Sequence, residues 1–401
     1  MSEGSPKSKH LLAVLAVIML LSVILSACGG SDSSSSSGEA AATEEETSSG
    51  ESSATSDVGQ LEVGKLNFDI SKYCGSKPTK VGLIDGYGSI TWRVQVRALN
   101  EKVAKECPNV TEVKYFSAEG DPEKFNSTLA SWPAQGVNVI VANPDFGQAS
   151  VPAFRAAQAA GATVVTSTNV PGNASIPTDV TASYLQNNED GAKEFVEFLD
   201  KANKSTAKIV EIGGAPGTTL DAEIVEGMKM AIEETGADVE FLESEPVPSN
   251  WEPGKTQQVA ASLIGKYPDL NGIVLTYIAT LPSVIRAYEA AGKPLPPIAG
   301  ESSSMEAVCE IEKVRKSDPN ANLFSLDATG NQPPLALAKG LAAFQEIEAP
   351  ELGSEDGVTY ANYTKYIDTL EGEVPTCVKS IPPGADLSMA QTQEEVEALS
   401  E

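Results

Sequence analysis

The chain has 401 residues, a formal net charge of −28 and 21% charged residues. This acidic balance argues against a nucleic-acid partner, because phosphate binding requires a basic surface. The only histidine is His10, so the chain beyond it has no imidazole for Ser-His-Asp or Cys-His catalysis or for histidine-ligated zinc. We therefore expect no metal, no cofactor and no catalytic residue. Catalysis would have to rely on carboxylates or lysine.

The N-terminal segment has the pattern of an export signal. Lys7 and Lys9 precede a nearly unbroken apolar run over residues 11–26, which is shorter than the ~20 residues that a membrane-spanning helix needs. The run ends in Leu25-Ser26-Ala27-Cys28, which resembles the lipobox of bacterial lipoproteins. The resemblance implies cleavage before Cys28 and acylation of that cysteine. An ordinary secretory peptide and an uncleaved anchor helix are the alternatives.

A polar segment follows the predicted lipid site. Residues 29–56 contain Ser, Gly, Ala, Thr and Glu but no large apolar side chain, so this segment cannot bury enough surface to offset the entropy of ordering. We predict a signal peptide over residues 1–27 and a lipidated, disordered tether over 28–60. The remainder, roughly 340 residues, is long enough for two domains.

Strands and helices alternate along this remainder. Apolar runs predict strands at residues 80–85, 138–143, 163–166, 208–212, 272–277 and 322–327. Helical spacing of apolar residues predicts helices over 94–103, 151–160, 190–202, 220–232 and 335–347, with one more ending at Gly292. Gly236 is expected to cap the helix that precedes it. This alternation predicts an α/β fold with two doubly wound parallel-sheet lobes, whose ligands bind beyond the carboxyl ends of the strands.

Four cysteines lie in the folded part, and an even number in an exported protein suggests disulfides. Cys74 precedes the first strand and Cys107 follows the first helix, so both are expected at one end of one unit. We favour the pairs Cys74–Cys107 and Cys309–Cys377 over the other two pairings and over free thiols. The cysteines have no CxxC spacing, which argues against zinc.

Several segments in order resemble those of one protein family. They read DPEKFN at 121–126, GVNVIVANP at 136–144, GATVVT at 161–166 and KYPDLNGI at 266–273. Residues 80–347 thereby resemble the type I periplasmic binding proteins of the ribose/galactose class, the substrate-binding subunits of sugar ABC importers. The resemblance implies two lobes joined by a three-strand hinge that closes on the ligand. We predict lobes over 75–185 plus 329–365 and over 186–328 plus 366–384, with an acidic, disordered tail over 385–401.

Candidate ligand-binding residues lie in the loops after the predicted strands. The Trp92-Arg93 pair resembles that of galactofuranose-binding relatives, since an indole stacks on a sugar ring and a guanidinium binds vicinal hydroxyls. Alternatively, Trp92 packs against a helix and Arg93 is solvated. Asp145 is expected to accept hydroxyl hydrogen bonds or to cap a helix. Thr168 and Asn169 replace an Asp-Arg pair of many relatives, which weakens a ribose assignment.

The second lobe and the crossovers supply the other candidates, for each of which an exposed loop position is the alternative. Trp251 corresponds to an aromatic lid residue of relatives and Glu301 to a ligand-binding aspartate. Asp221 adjoins the position of a ligand-binding arginine, so this pocket is less basic than is typical. The complete predicted set is Tyr87, Trp92, Arg93, Asp145, Thr168, Asn169, Asp221, Trp251, Tyr277, Glu301, Asp327 and Asn331.

These features favour a monomeric, extracytoplasmic lipoprotein that delivers a neutral sugar or sugar-like polyol to an ABC permease. One alternative is a receptor that presents its ligand to a membrane sensor kinase or chemoreceptor. Another is a glycosidase with two carboxyl groups across the sugar. The sequence contains no basic headpiece like that of the DNA-binding repressors with this fold.

Overall fold

The computed structural model describes residues 68–327, 332–372 and 376–387. In chain order, the strands are β1 Thr79–Asp85, β2 Val110–Ser117, β3 Val139–Ala142, β4 Thr163–Thr168, β5 Ala182–Gln186, β6 Ala207–Gly213, β7 Val239–Phe241, β8 Val247–Pro248, β9 Gly272–Leu275, β10 Ile298–Glu301, β11 Leu323–Asp327, β12 Val358–Ala361 and β13 Thr364–Asp368. The α-helices are α1 Thr91–Lys105, α2 Pro122–Ser131, α3 Val151–Ala159, α4 Asn188–Ala202, α5 Thr219–Thr235, α6 Pro253–Lys266, α7 Leu281–Ala291, α8 Met305–Ser317 and α9 Gln332–Gln345.

The strands form two separate sheets. The first lobe has a parallel sheet in the order β12-β5-β4-β3-β1-β2, and the second has the order β13-β11-β10-β9-β6-β7 with β8 also paired to β6. In the second sheet β13 runs antiparallel to β11, and the other pairs are parallel. Apolar clusters cover both faces of each sheet. These sheets confirm the prediction of two α/β lobes.

The chain passes between the lobes three times. The first crossover joins β5 to α4 at Asn187, and the third joins β12 to β13 through Asn362 and Tyr363. The second leads from β11 to α9 through residues 328–331, which lie outside the described residues. The three-strand hinge expected from the family resemblance is therefore visible at its first and third strands.

Local signals in the sequence account for several helix ends. Asp121 accepts hydrogen bonds from two backbone N–H groups at the start of α2, and Pro122 occupies the first turn, where its missing N–H costs nothing. Gly236 and Gly292 end α5 and α7 in the left-handed conformation, with φ of 67° and 62°. Each lobe has one disulfide, Cys74–Cys107 and Cys309–Cys377, with Cα–Cα distances of 5.2 and 4.6 Å. This is the pairing that the sequence favours.

The lobe boundaries differ from those expected. The segment Ile70–Tyr73 packs in the first-lobe core, so this lobe begins before residue 75. The change to the second lobe falls at residues 362–363 rather than after 365, because β13 already pairs with β11.

The predicted tail starts too early. Ala385 and Leu387 are buried, and their backbones hydrogen-bond Met305 and Ser303 of the second lobe. The acidic tail therefore does not begin at residue 385. The predicted signal peptide, Cys28 and the predicted tether lie outside the described residues. Within the described ranges, no helix is long and apolar enough to cross a membrane.

Candidate ligand-binding site

A cavity of about 50 Å³ lies between the lobes. Both lobes contribute to it through loops that follow strands and through the start of α1. Trp92 belongs to the same apolar cluster as Leu220, Trp251 and Tyr277 of the second lobe, so the lobes are closed against each other here. The residues that line the cavity are Ile90, Trp92, Arg93, Thr168, Asn169, Leu220, Trp251, Thr276, Tyr277, Glu301 and Ser302.

A larger cleft of about 650 Å³ adjoins this inner cavity. Ile90, Trp251 and Tyr277 line both spaces and lie between them. The space is of the size that small-molecule sites occupy, and its position between two domains is the usual one for such sites. We call the first space the inner cavity and the second the outer cleft.

A buried ion pair supports the first-lobe wall of the inner cavity. Arg93 Nη2 donates to Asp145 Oδ1 at 2.7 Å, and the two side chains are 7% and 0% exposed. Asn169 Nδ2 donates to the same oxygen at 2.9 Å, and the Gly86 N–H donates to Asp145 Oδ2 at 2.8 Å. Burial raises the pKa of Asp145, and the Arg93 guanidinium opposes that shift. Asp145 thus fixes the positions of Arg93 and Asn169.

A second carboxyl lies behind Arg93. Asp85 accepts hydrogen bonds from the Tyr87 backbone N–H and the Tyr115 hydroxyl, both at 3.0 Å. Burial is the main cause that raises its pKa to about 6, and Asp145 adds to the shift while Arg93 opposes it. The Arg93 guanidinium therefore stabilises the charge of two buried carboxyl groups, Asp145 and Asp85.

Several polar atoms at the inner cavity are buried without a hydrogen-bond partner among the described residues. On the first-lobe wall these are Trp92 Nε1, Arg93 Nη1, Thr168 Oγ1 and Asn169 Oδ1. Buried polar groups are nearly always paired, so each such atom needs an explanation. Thr168 also has a φ of 75°, a strained conformation for a β-branched residue that is typical of functional sites. The wall offers donors and acceptors that a polar ligand would satisfy.

The second-lobe wall is built around Trp251. Its Nε1 donates to Thr276 Oγ1 at 3.0 Å, and the Tyr87 ring meets the indole edge-on at 5.6 Å between centroids. The indole lies over Gly214, where an added Cβ would be 2.1 Å from the ring. A glycine is therefore required at position 214 for the indole to lie there.

Asp221 lies beneath this wall. Its Oδ2 accepts hydrogen bonds from the Gly214 N–H at 2.7 Å and from Thr218 Oγ1 at 2.8 Å. Burial raises the pKa of Asp221 to about 6, against the effect of those hydrogen bonds. Its role is to hold the loop that carries Gly214, and it does not line the inner cavity.

Glu301 forms the acidic part of the second-lobe wall. The Tyr363 hydroxyl in the third crossover hydrogen-bonds Glu301 Oε2, and it lies 2.8 Å from Asn188 Oδ1 at the start of α4. Burial raises the pKa of Glu301 to about 8, and Asp221 and Asp386 contribute to the shift. The cavity is thereby linked to two of the three crossovers.

The structure brings together most of the predicted site residues. Those that line the inner cavity are Trp92, Arg93, Thr168, Asn169, Trp251, Tyr277 and Glu301. Tyr87 lines the outer cleft. Asp327 is buried at the end of β11 but lines neither space, and Asn331 lies outside the described residues.

Two expectations about carboxylates need correction. Asp145 is not a helix N-cap and lines neither the inner cavity nor the outer cleft; its oxygens accept hydrogen bonds from Arg93, Asn169 and Gly86. Asp221 likewise supports a loop.

Sequence reasoning missed other residues of the site. Thr276 directly follows β9, so the rule on strand ends could have found it. Tyr363 follows the short strand β12, which was not predicted, and no pattern in the sequence relates it to Glu301.

A family model described as "Periplasmic binding protein domain" matches residues 81–313. The chain belongs to this family. A curated relative is the D-ribose/D-allose-binding protein of Pseudomonas aeruginosa, 28% identical over 164 residues, which cover 39% of this chain and 49% of the relative. The match thus spans about half the length of that relative. The family predicted from the sequence is confirmed.

Solved structures show the same fold. An ABC transporter solute-binding protein from Thermobispora bispora has a TM-score of 0.63 and 16% identity, covering 80% of this chain and 94% of that one. An ABC transporter periplasmic solute-binding protein from Actinobacillus succinogenes with bound D-allose has a TM-score of 0.58 and 17% identity, covering 73% and 98%. At these identities, the likeness concerns the fold.

Proposed function

We propose that this protein is the substrate-binding component of an ABC importer for a sugar or a sugar-like polyol. The observation that carries the proposal is the inner cavity, where buried, unpaired polar atoms of the first lobe face the aromatic and acidic wall of the second. Aromatic faces and convergent hydrogen-bonding groups suit a polyhydroxylated ring. D-Ribose, D-allose and the transporter context named for the relatives support the same class.

The ligand is held by closure of the two lobes. The first-lobe wall binds one face of the ring through Arg93, Trp92 and Asn169, and Trp251 and Glu301 meet the other face. Three crossovers allow the lobes to separate without breaking either sheet. Binding without turnover is sufficient for this role, and hinge opening at the permease releases the ligand.

The protein acts outside the cytoplasm. The family implies an extracytoplasmic location, and the segment ending in Cys28 supports a lipid anchor with a tether. The anchor keeps the protein close to its permease and raises the effective concentration of loaded protein there.

The proposal is tested with residues 60–401, by thermal unfolding and tryptophan fluorescence against a panel of pentoses, hexoses and cyclitols. We expect at least one member to raise the melting temperature and change the emission, because Trp92 and Trp251 line the cavity. Trp92→Ala should weaken that binding at least about a hundredfold, since the indole supplies much of one wall. Trp132→Ala, a buried tryptophan in another first-lobe apolar cluster, is the control and should retain affinity. A complete absence of stabilisation across the panel would refute the proposal.

A further inference from the structure

The two walls of the inner cavity differ in charge balance. Arg93 is the only Lys or Arg among the described residues that line it, and Asp145 already binds this guanidinium. Glu301 on the opposite wall has no ion pair among the described residues. It hydrogen-bonds the Tyr363 hydroxyl. Asp221 and Asp386 lie close enough to repel its charge, and Arg93 across the cavity attracts it without forming an ion pair.

Further carboxyl groups lie beneath Glu301. Both carboxyl oxygens of Glu211 on β6 are buried without a hydrogen-bond partner in the described structure. Burial raises the pKa of Glu211 well above its ordinary value, and Asp221 and Glu301 add to the shift while Lys229 opposes it. Isolated buried carboxylates are costly, so burial favours the protonated form of these groups. A cation at Glu301 would replace such a proton.

The outer cleft also has an excess of carboxyl groups over basic groups. Its carboxylates are Glu119, Glu252 and Glu306, and no Lys or Arg lines it within the described parts of the chain. The rings of Tyr87, Trp251 and Tyr277 complete its walls. Carboxylates and aromatic faces together attract organic ammonium groups. The cleft next to the inner cavity therefore favours a cation.

We propose that the ligand is an amino sugar or an aminocyclitol whose ammonium group lies against Glu301. Its hydroxyls satisfy Arg93 Nη1, Trp92 Nε1 and Asn169 Oδ1, which have no other partner in the described structure. The inference rests on the proposed function and specifies its ligand class. It differs from the neutral ligand expected from the sequence, where Arg93 and the carboxylates were taken as one set. In the structure, Arg93 is paired with Asp145 on the first-lobe wall, and Glu301 on the second-lobe wall has no ion pair among the described residues.

The test compares matched ligands by isothermal titration calorimetry at pH 7. The pairs are D-galactosamine with D-galactose, D-glucosamine with D-glucose, and scyllo-inosamine with scyllo-inositol. We expect at least one amine to bind about tenfold or more tighter than its neutral counterpart and than any neutral member of the panel. Glu301→Gln keeps the shape but removes the charge and should reduce that ratio to about one. Glu233→Gln, an exposed acid on α5, should leave the ratio unchanged.

Each other outcome is decisive. If neutral sugars bind the unaltered protein as tightly as the amines or more tightly, the inference is wrong and the proposed function stands. If the preference for the amine persists in Glu301→Gln, the ammonium lies elsewhere and the inference is also wrong. If neither neutral sugars nor amines bind, the proposed function fails together with the inference. Circular dichroism and the melting temperature of Glu301→Gln show whether that variant is folded.

Discussion

The two walls of the inner cavity differ in how their buried carboxyl groups are neutralised. On the first-lobe wall, Arg93, Asp145 and Asn169 are joined in one hydrogen-bonded network made by the protein's own side chains. On the second-lobe wall, Glu301 lies above Asp221 and Glu211 with no cation bound to any of the three in the described structure. The first wall is organised in advance, and the second depends on a proton or a ligand for neutrality.

The two walls therefore recognise different properties of the ligand: the first recognises the positions of its hydroxyls, and the second recognises its charge. A prepaired network holds donors at fixed positions, so little entropy is lost when a hydroxyl binds. A wall with surplus carboxyl groups instead selects the charge of the ligand. The following variants test the two walls separately, from the largest expected effect to the smallest.

Removal of Arg93 should have the largest effect. Arg93→Ala leaves Asp145 and Asp85 buried without a cation, and breaking a buried pair in this way costs about 3–5 kcal/mol in the free energy of unfolding. Ligand binding should be lost as well. Urea denaturation and calorimetry measure the two effects. In the paired control Arg93→Met/Asp145→Leu, stability should recover in part, because Asp85 still lacks its cation, but binding should not recover. A loss below about 1 kcal/mol for Arg93→Ala would contradict the prepaired wall.

The second wall should make stability fall as pH rises. Glu301 has a folded pKa of about 8, raised from an unfolded value of 4.5, so its contribution is fully present below pH 4.5 and lost as the pH rises through 8. Between pH 6 and 8 this amounts to about 2–3 kcal/mol, at about 1.4 kcal/mol per pH unit.

The variant Glu301→Gln should flatten the pH dependence in that interval, as measured by urea unfolding at several pH values. Asp221 and Glu211 also face this region, Tyr363 hydrogen-bonds Glu301, and Asp386 and Arg93 lie near it, so part of the slope should remain. Glu233→Gln should reproduce the original profile. An equal slope in Glu301→Gln would show that Glu301 does not bind a proton in this range.

The position of the Trp251 indole depends on the absence of a side chain at Gly214. Gly214→Ala would place a Cβ against the indole, so we expect a loss of about 1–3 kcal/mol in the free energy of unfolding and weaker ligand binding. Gly265→Ala on α6 meets no atom within 4 Å and should stabilise the helix by about 0.5–1 kcal/mol. Thermal unfolding measures both. Unchanged stability and binding in Gly214→Ala would mean that the indole can move freely.

The smallest effect is expected for Glu211→Gln. Burial raises the pKa of its carboxyl well above the ordinary value and so favours the uncharged form, which an amide resembles. We therefore expect the substitution to change the free energy of unfolding by less than about 0.5 kcal/mol. Asp145→Asn, which removes the charge bound to Arg93, should cost about 2 kcal/mol or more. Similar losses for both variants in urea would show that the two walls do not differ in ionisation.

Much of the fold could be predicted because several strands are continuous apolar runs and because α5 and α7 end at recognisable glycines. β1, β3, β4, β6, β9 and β11 were predicted near their observed bounds. The other strands, β2, β5, β7, β8, β10, β12 and β13, were not predicted. For example, β2 is only partly buried and alternates apolar with charged residues, and β12 has four residues. The Ala385–Leu387 segment was taken as tail because its pairing with Ser303 and Ser304 lies far away in sequence.

The site residues that lie at or just after the ends of strands could be predicted from the sequence. Thr168, Asn169, Tyr277 and Glu301 were found by that rule and by resemblance. Whether a carboxylate faces the ligand or a neighbouring side chain depends on distances of a few ångströms, which a linear pattern does not give. Asp145 illustrates this limit, since its partner Arg93 is 52 residues away in the chain.

The most direct test of the two-wall account is a crystal structure of the protein with the tightest ligand of the panel. The account predicts a ring between Trp92 and Trp251, with hydroxyl oxygens within hydrogen-bond distance of Arg93 Nη1 and a ligand donor on Glu301. The Arg93–Asp145 bond should remain at about 2.7 Å. A ligand confined to the outer cleft, with Arg93 Nη1 and Glu301 still unoccupied by it, would contradict the account.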